Sequence, residues 1–316
     1  MKYAEGVAVL LCITACFRAE QQASGSRDST TQVEVRRHPE DSVGPPVADS
    51  FTAAPDSPLV LFRLDTDVRG EDFLDPIALI SGDKLVRPPV GDMNDSAANV
   101  FRHTFYGRGQ SYRVVGGGED LGIVGAAAAI DPGCFGLEAD AHVKLARPAP
   151  QDLMLFATNA ARIRGGDAIR RPLSGEDREV LYSHISQVLA DSGVPPAFRG
   201  HSFMIAGARI ESPEANPFII GMFKVDSTEN GGARIISVLL GLDSTSSGYR
   251  PTLLTYYNGL DADAAGERFV DILEIDGSPP PELITRTTFY ESYTYTVYRK
   301  TPSGWQSWYT GGGGGC

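Results

Sequence analysis

From Pro196 onward the chain repeats one pattern roughly every 17 residues. An aliphatic strand ends at Asp, a loop bearing Gly or Ser follows, and another apolar strand begins. Val225-Asp226-Ser227-Thr228 is echoed by Leu242-Asp243-Ser244-Thr245, and Leu260-Asp261 and Ile275-Asp276 follow at similar intervals. Asp suits that place because its carboxylate bonds backbone amides where a strand breaks into a turn. The segments 234–242, 252–257, 269–275, 283–289, 293–299 and 305–309 are rich in β-branched and aromatic residues, and they alternate with period two. The pattern predicts an antiparallel β-meander.

The preceding part of the chain reads in the same way. Segments 59–64, 112–115, 137–145 and 153–157 alternate as strands, and 77–80 and 84–87 flank the hairpin residues Ser81-Gly82-Asp83. Residues 96–106 read as one or two helical turns with Val100, Phe101 and Phe105 on one side. Residues 121–130 are apolar and small, which fits a buried strand or a short helix. One helix is clear. Ser174 caps it, Asp177 answers three residues on, and Val180, Leu181, Ile185, Val188 and Leu189 form its apolar stripe. Gly193 and Pro195 end it. The expected fold is α+β and mostly β, an antiparallel meander or sandwich with one clear helix. Its expected parts are a β subdomain over 58–165, a linker and helix over 166–195, and a meander subdomain over 196–316 with a Gly-rich tail.

The N-terminus points to a compartment. Residues 7–15 form a short apolar run behind Lys2, well short of the ~20 residues that span a bilayer. It suits the core of a signal peptide over 1–15. The run ends in Ile13-Thr14-Ala15-Cys16, which resembles the lipobox of bacterial lipoproteins. The resemblance implies cleavage before Cys16 and acylation of that cysteine, including a palmitate-type chain, with the membrane as a partner. Phe17 rather than Asp follows the cysteine, a pattern similar to lipoproteins sent to the outer membrane of Gram-negative cells. The alternative is an ordinary signal peptide cut near Ala19. Residues 16–57 are rich in Ser, Thr, Gln, Asp and Pro without a sustained apolar period, and read as a disordered tether. About 40 such residues have a root-mean-square span of roughly 35 Å.

Four cysteines are present. With Cys12 removed and Cys16 acylated, Cys134 and Cys316 remain in an oxidising compartment. Cys316 follows five glycines, a flexible arm that predicts a Cys134–Cys316 disulfide; free thiols or an intermolecular bridge are the alternatives.

Catalytic and metal motifs are incomplete. The loops starting at Asp65, Asp226 and Asp261 begin like calcium loops, but their twelfth positions are Pro76, Ser237 and Ile272 instead of Glu. Around Ser202, Met204 stands where a nucleophile elbow requires Gly. The Gly116–Gly118 run lacks a surrounding βαβ unit. No cofactor or metal is expected. The net charge of −12, with no basic stripe, argues against a nucleic-acid partner.

Residues 269–299 are similar to one blade of an FG-GAP or VCBS type β-propeller repeat, through Val270-Asp271-Ile272, Asp276-Gly277 and Glu282-Leu283-Ile284. The family's calcium loop is replaced here by Ser278-Pro279-Pro280-Pro281. The dense aromatics of the same region are the leading candidate site. Tyr293, Tyr295, Tyr298, Trp305 and Trp308, displayed on a sheet, would stack on sugar rings or anchor a protein. Core packing with cross-strand Tyr/Thr pairs is the alternative use. The expected function is a lipid-anchored cell-envelope protein that binds a protein or glycan without catalysis. An envelope hydrolase without a recognisable motif, or a structural assembly lipoprotein, is the alternative.

Overall fold

The computed structural model describes residues 58–66, 70–89, 96–107, 109–117, 119–129, 136–146, 154–163, 168–213, 215–229, 232–260, 264–289 and 291–315. The expected signal segment and tether, Cys16, Cys134 and Cys316 lie outside the described residues.

Seven strands come first: β1 (Leu59–Thr66), β2 (Asp72–Ser81), β3 (Lys84–Val86), β4 (Ser111–Gly116), β5 (Glu119–Ala129), β6 (Ala139–Leu145) and β7 (Leu155–Thr158). Their order is β1-β7-β4-β5-β6-β2-β3, and β1 also pairs β2 antiparallel. That last pairing closes six strands into a barrel and leaves β3 as a flap on β2. Inward residues alternate along each strand. Val60, Phe62 and Leu64 of β1 meet Leu74, Tyr112, Val114, Leu121, Val124 and Leu155 in one apolar cluster. The helix α1 (Ser96–Phe105) adds Ala98, Phe101 and Phe105 to it. Phe62 is its hub, with ring centroids 5.0 Å from Tyr112 and 6.4 Å from both Phe101 and Phe105.

The helix α2 (Gly175–Asp191) has the expected capping box: Ser174 Oγ accepts from the Asp177 amide, and the Asp177 carboxylate accepts from Ser174 N–H. One further turn, α3 (Pro196–Arg199), follows. The strand β8 (Ile169–Arg171), which precedes α2, joins β9 (Ser202–Ser212), β10 (Ala215–Glu229), β11 (Gly232–Thr245) and β12 (Gly248–Leu260) in an antiparallel five-stranded sheet in the order β12-β11-β10-β9-β8. Leu181, Ile185 and Leu189 of α2 pack on one of its faces, over Ile219, Phe223, Val238 and Leu240.

The last four strands, β13 (Ala264–Leu273), β14 (Glu282–Phe289), β15 (Tyr293–Thr301) and β16 (Gly304–Gly311), form a separate sheet in chain order. This sheet is the middle layer. Ile272, Leu283 and Tyr298 pack against Ile210, Phe218, Ile220 and Leu253 of the five-stranded sheet. Ile284, Tyr295 and Val297 pack on its other side, against Leu61, Ile77, Ile80 and Phe156 of the barrel wall. The described elements belong to one compact unit.

The expected meander or sandwich with one clear helix is therefore corrected. The fold is mostly β with α+β character, but among the described residues it has three helices and a closed six-stranded barrel. Local pairings follow the sequence pattern: β4 with β5, β5 with β6, and the long hairpins from β9 to β12. Closure depends on pairings remote in sequence, β1 with β7 and β2 with β6, which periodicity cannot reveal.

The expected Cys134–Cys316 disulfide is not borne out; both cysteines lie outside the described residues. The glycine tail has another use. Gly312 and Gly313 have φ of 66° and 90°, and a Cβ on them would stand 2.4 Å from the Ile77 carbonyl oxygen and 2.1 Å from that of Tyr293. The tail lies against the barrel and β15 through its backbone, with Tyr293 N–H donating to the Gly314 carbonyl at 2.9 Å and a bridge from Gly315 to Ser292. Only glycine permits such close approach.

Candidate functional site

The five aromatic side chains singled out from the sequence do not form one exposed platform. Tyr295 is fully buried, and its hydroxyl donates to the Asp75 carboxylate. Tyr298 is buried and donates to Glu267 at 2.8 Å. Tyr293 is half-buried; its hydroxyl donates to Glu138 at 2.8 Å and the Arg286 guanidinium lies 3.9 Å above its ring. Half-buried Trp308 lies under the Arg299 guanidinium. Half-buried Trp305 packs on Phe218 with centroids 5.2 Å apart. The reason is register. A strand in a middle layer has no solvent face, so both halves of its alternation are covered.

Several charged groups that were not among the expected site residues are buried around the four-stranded sheet. Arg63 Nη1 donates to Tyr295 Oη at 3.4 Å, and its Nη2 pairs with Asp65. Tyr295 thus bridges Arg63 on β1 and Asp75 on β2. Burial pushes the Asp75 carboxyl up to about 6, against the Tyr295 hydrogen bond and the Arg63 charge. Burial likewise raises Asp271 to about 6; its nearest cation is Arg170, with Nη1 at 3.7 Å. Burial raises Glu282 to about 7, although its carboxylate accepts from Ile275 N–H at 2.8 Å and Arg299 Nε at 3.2 Å. A charged residue inside an apolar run, as in Leu61-Phe62-Arg63-Leu64 and Phe73-Leu74-Asp75-Pro76-Ile77, was the available signal.

Described residues line two concavities. The first is an open cleft of about 540 Å³ at the N-terminus of α2, lined by Arg171, Pro172, Ser174, Glu176, Asp177, Arg209 and Tyr249. Its charges pair among themselves. Arg209 reaches Asp177 and Glu211, each at 2.9 Å, Arg171 reaches Glu211 at 2.8 Å, and Tyr249 Oη donates to Asp177 at 3.3 Å. Burial opposes the charge on Asp177, but bonds from Ser174 and Arg209 hold its carboxyl below the usual range. Ser174 Oγ is occupied as a cap and donates to Asp177 at 2.8 Å, so the cleft offers polar contacts without an activated hydroxyl.

The second is a narrow slot of about 40 Å³ where the two sheets meet the loop before β14. Ile210, Phe218, Ile272 and Pro281 are its buried floor, while Ala215 and Asn216 are exposed at its rim. Lys300 Nζ stands 4.9 Å from the Trp305 ring and 5.5 Å from that of Phe218, paired with Asp243. Burial holds this amine below the usual lysine range. Trp305 Nε1–H is buried without a hydrogen-bond partner among the described residues.

The residues weighed for catalysis are not assembled with one another. Ser202 begins β9 and its hydroxyl donates to the Arg199 carbonyl at 3.0 Å. Asp276 caps its own turn through Ser278 and pairs with Arg299 at 3.0 Å. Asp226 falls within β10. Residues 67–69 and 261–263 of two calcium-like loops lie outside the described residues. Comparison of the chain with family models, with curated proteins and with solved structures finds no match.

Proposed function

We propose that this protein is lipid-anchored in the cell envelope through Cys16, at the outer membrane in a Gram-negative cell, and that its folded body binds an envelope protein or glycan without catalysis. The observation that carries the proposal is Ile13-Thr14-Ala15-Cys16 at the end of a short apolar run, followed by some 40 polar residues before β1. Such a tether holds a body clear of the lipid headgroups. The binding half is supported by the two concavities, which present paired charges, a tryptophan and a lysine rather than a nucleophile with a base.

The test is the intact mass of the protein extracted from membranes, followed by capture on peptidoglycan sacculi and from envelope extract. A mass for residues 16–316 plus acyl chains is expected, with retention on one of the two baits. An unmodified full-length chain in the soluble fraction overturns the anchor. Turnover in a hydrolase screen that disappears in Ser202→Ala, Asp226→Ala or Asp276→Ala overturns the non-catalytic reading.

A further inference from the structure

We propose that the edge strand β12 is the surface through which two copies of this chain pair, antiparallel, about a two-fold axis at Thr255.

An edge strand carries a row of backbone N–H and C=O groups without partners in its own sheet, and proteins blunt such edges with shortness, charge or cover. The opposite edge of the same sheet is blunted in all three ways. β8 is three residues long, two of them arginine, and it pairs with β9 from Arg209 to Glu211. Farther along β9, Leu173 stands against Gly207, and the Tyr182 hydroxyl accepts from the Met204 amide at 3.1 Å. β12 is different. It runs for 13 residues beside β11, and no strand pairs with its other side among the described residues. The turn before β16 touches it at Thr252. From Thr252 to Asn258 the strand has no charged residue and is rich in residues that favour pairing. Leu254 pairs with Leu240 on the face that α2 covers farther in, and it is left 50% exposed.

The order of side chains selects a second copy as the occupant. Leu253 and Leu254 precede Thr255, and Tyr256 and Tyr257 follow it. Antiparallel pairing of this strand with itself about Thr255 sets Leu254 of each copy opposite Tyr256 of the other, which covers the exposed leucine. Thr255 meets Thr255 at the axis. Opposed positions have equal parity, so each side chain keeps its own face of the joined sheet. Charge fits as well. Arg250 is the one charged residue of β12, and Asp261 and Asp263 follow its other end in the sequence, so each arginine is drawn toward the acidic end of the other copy. The contact is isologous: it uses both bare edges and closes at two chains.

The full chain is studied by sedimentation equilibrium in a density-matched detergent, and the mass of two chains is expected. Leu254→Lys puts a charge on the edge and is expected to weaken association about tenfold or more, with the near-UV circular dichroism kept. Val100→Lys, at a 64% exposed residue of α1, is expected to leave association unchanged. Amide hydrogen exchange gives the position: protection over Leu253–Tyr257 is expected to rise with protein concentration. A monomer at every concentration, an open series of larger species, or a dimer untouched by Leu254→Lys overturns the pairing. Where Leu254→Lys alters the near-UV spectrum, exchange in the unsubstituted chain decides, and β12 amides whose protection is independent of concentration overturn it.

Discussion

The interior of the barrel and the face it turns to the four-stranded sheet are both buried, yet they differ in chemistry. The interior is apolar and aromatic: Val60, Phe62 and Leu64 on one side of β1 meet α1 and the opposite wall. The other side of the same strand carries Leu61 and Arg63, and Arg63 joins Tyr295 and Asp75 across the interface. Dispersion and burial hold the interior without specifying unique partners. At the outer face, misplacing the sheet would leave a guanidinium or carboxylate unpaired in the dark, at a cost that few alternative packings offset. The closed barrel thus supplies stability, and the interface supplies the unique seating of the middle sheet.

The outcomes below break or sharpen this comparison, from the largest effect down. Phe62→Ala removes the hub ring of the interior, and a loss of about 3–5 kcal/mol is expected in chemical denaturation. A loss under 1 kcal/mol would show that the interior is not tightly packed. Tyr295→Phe removes the donor to the Asp75 carboxylate and is expected to cost about 1–3 kcal/mol. Asp75→Asn keeps an acceptor but removes the buried charge, so it should cost less than Tyr295→Phe; equal losses would mean that the charge itself holds the interface.

Gly313→Ala places a Cβ against the Tyr293 carbonyl at a φ of 90° and is expected to cost about 1–3 kcal/mol by thermal melting. A neutral result would mean that the tail contributes nothing to seating β15.

The pH dependence has a definite sign. Asp75, Asp271 and Glu282 have raised carboxyls in the fold, at about 6, 6 and 7, so between about pH 4 and 7 the folded chain binds more protons than the unfolded one. Their ionisation therefore lowers stability as pH rises through that window. Asp177 and Asp276 are lowered, and the stability they supply is lost only at stronger acid. The Tm is expected to be higher at pH 5 than at pH 7.5, on the order of 5 °C. The Asp75→Asn variant should flatten part of that slope. A Tm that rises steadily from pH 5 to 7.5 contradicts the assignment. Ser174→Ala, away from both surfaces, removes one cap bond of α2 and is expected to cost about 1 kcal/mol.

The capping box of α2 was readable from Ser174 and Asp177 alone, because both of its bonds lie within four residues. The strands of the C-terminal half were readable for the same kind of reason: alternation is a local property. Leu121–Ala129 read equally as strand or helix, and pairing with β4 and β6 on both sides decided for strand β5. The aromatic residues were legible as aromatic, but not as covered. Tyr295 and Trp308 look alike in a list of residues, and one is fully buried while the other is half-buried under Arg299.

By itself the sequence determined strand content, one capped helix, and a lipobox-like start followed by a mostly polar segment. Each of these depends on neighbours within a few residues. The strands expected to end at Asp226 and Asp243 run on past them. The pairings of β1 with β7 and of β2 with β6, the burial of the middle sheet on both faces, the Arg63–Tyr295–Asp75 bridge and the slot at Trp305 were decided only by tertiary structure. Each joins residues tens to hundreds of positions apart, and such a meeting is set by the packing of whole sheets.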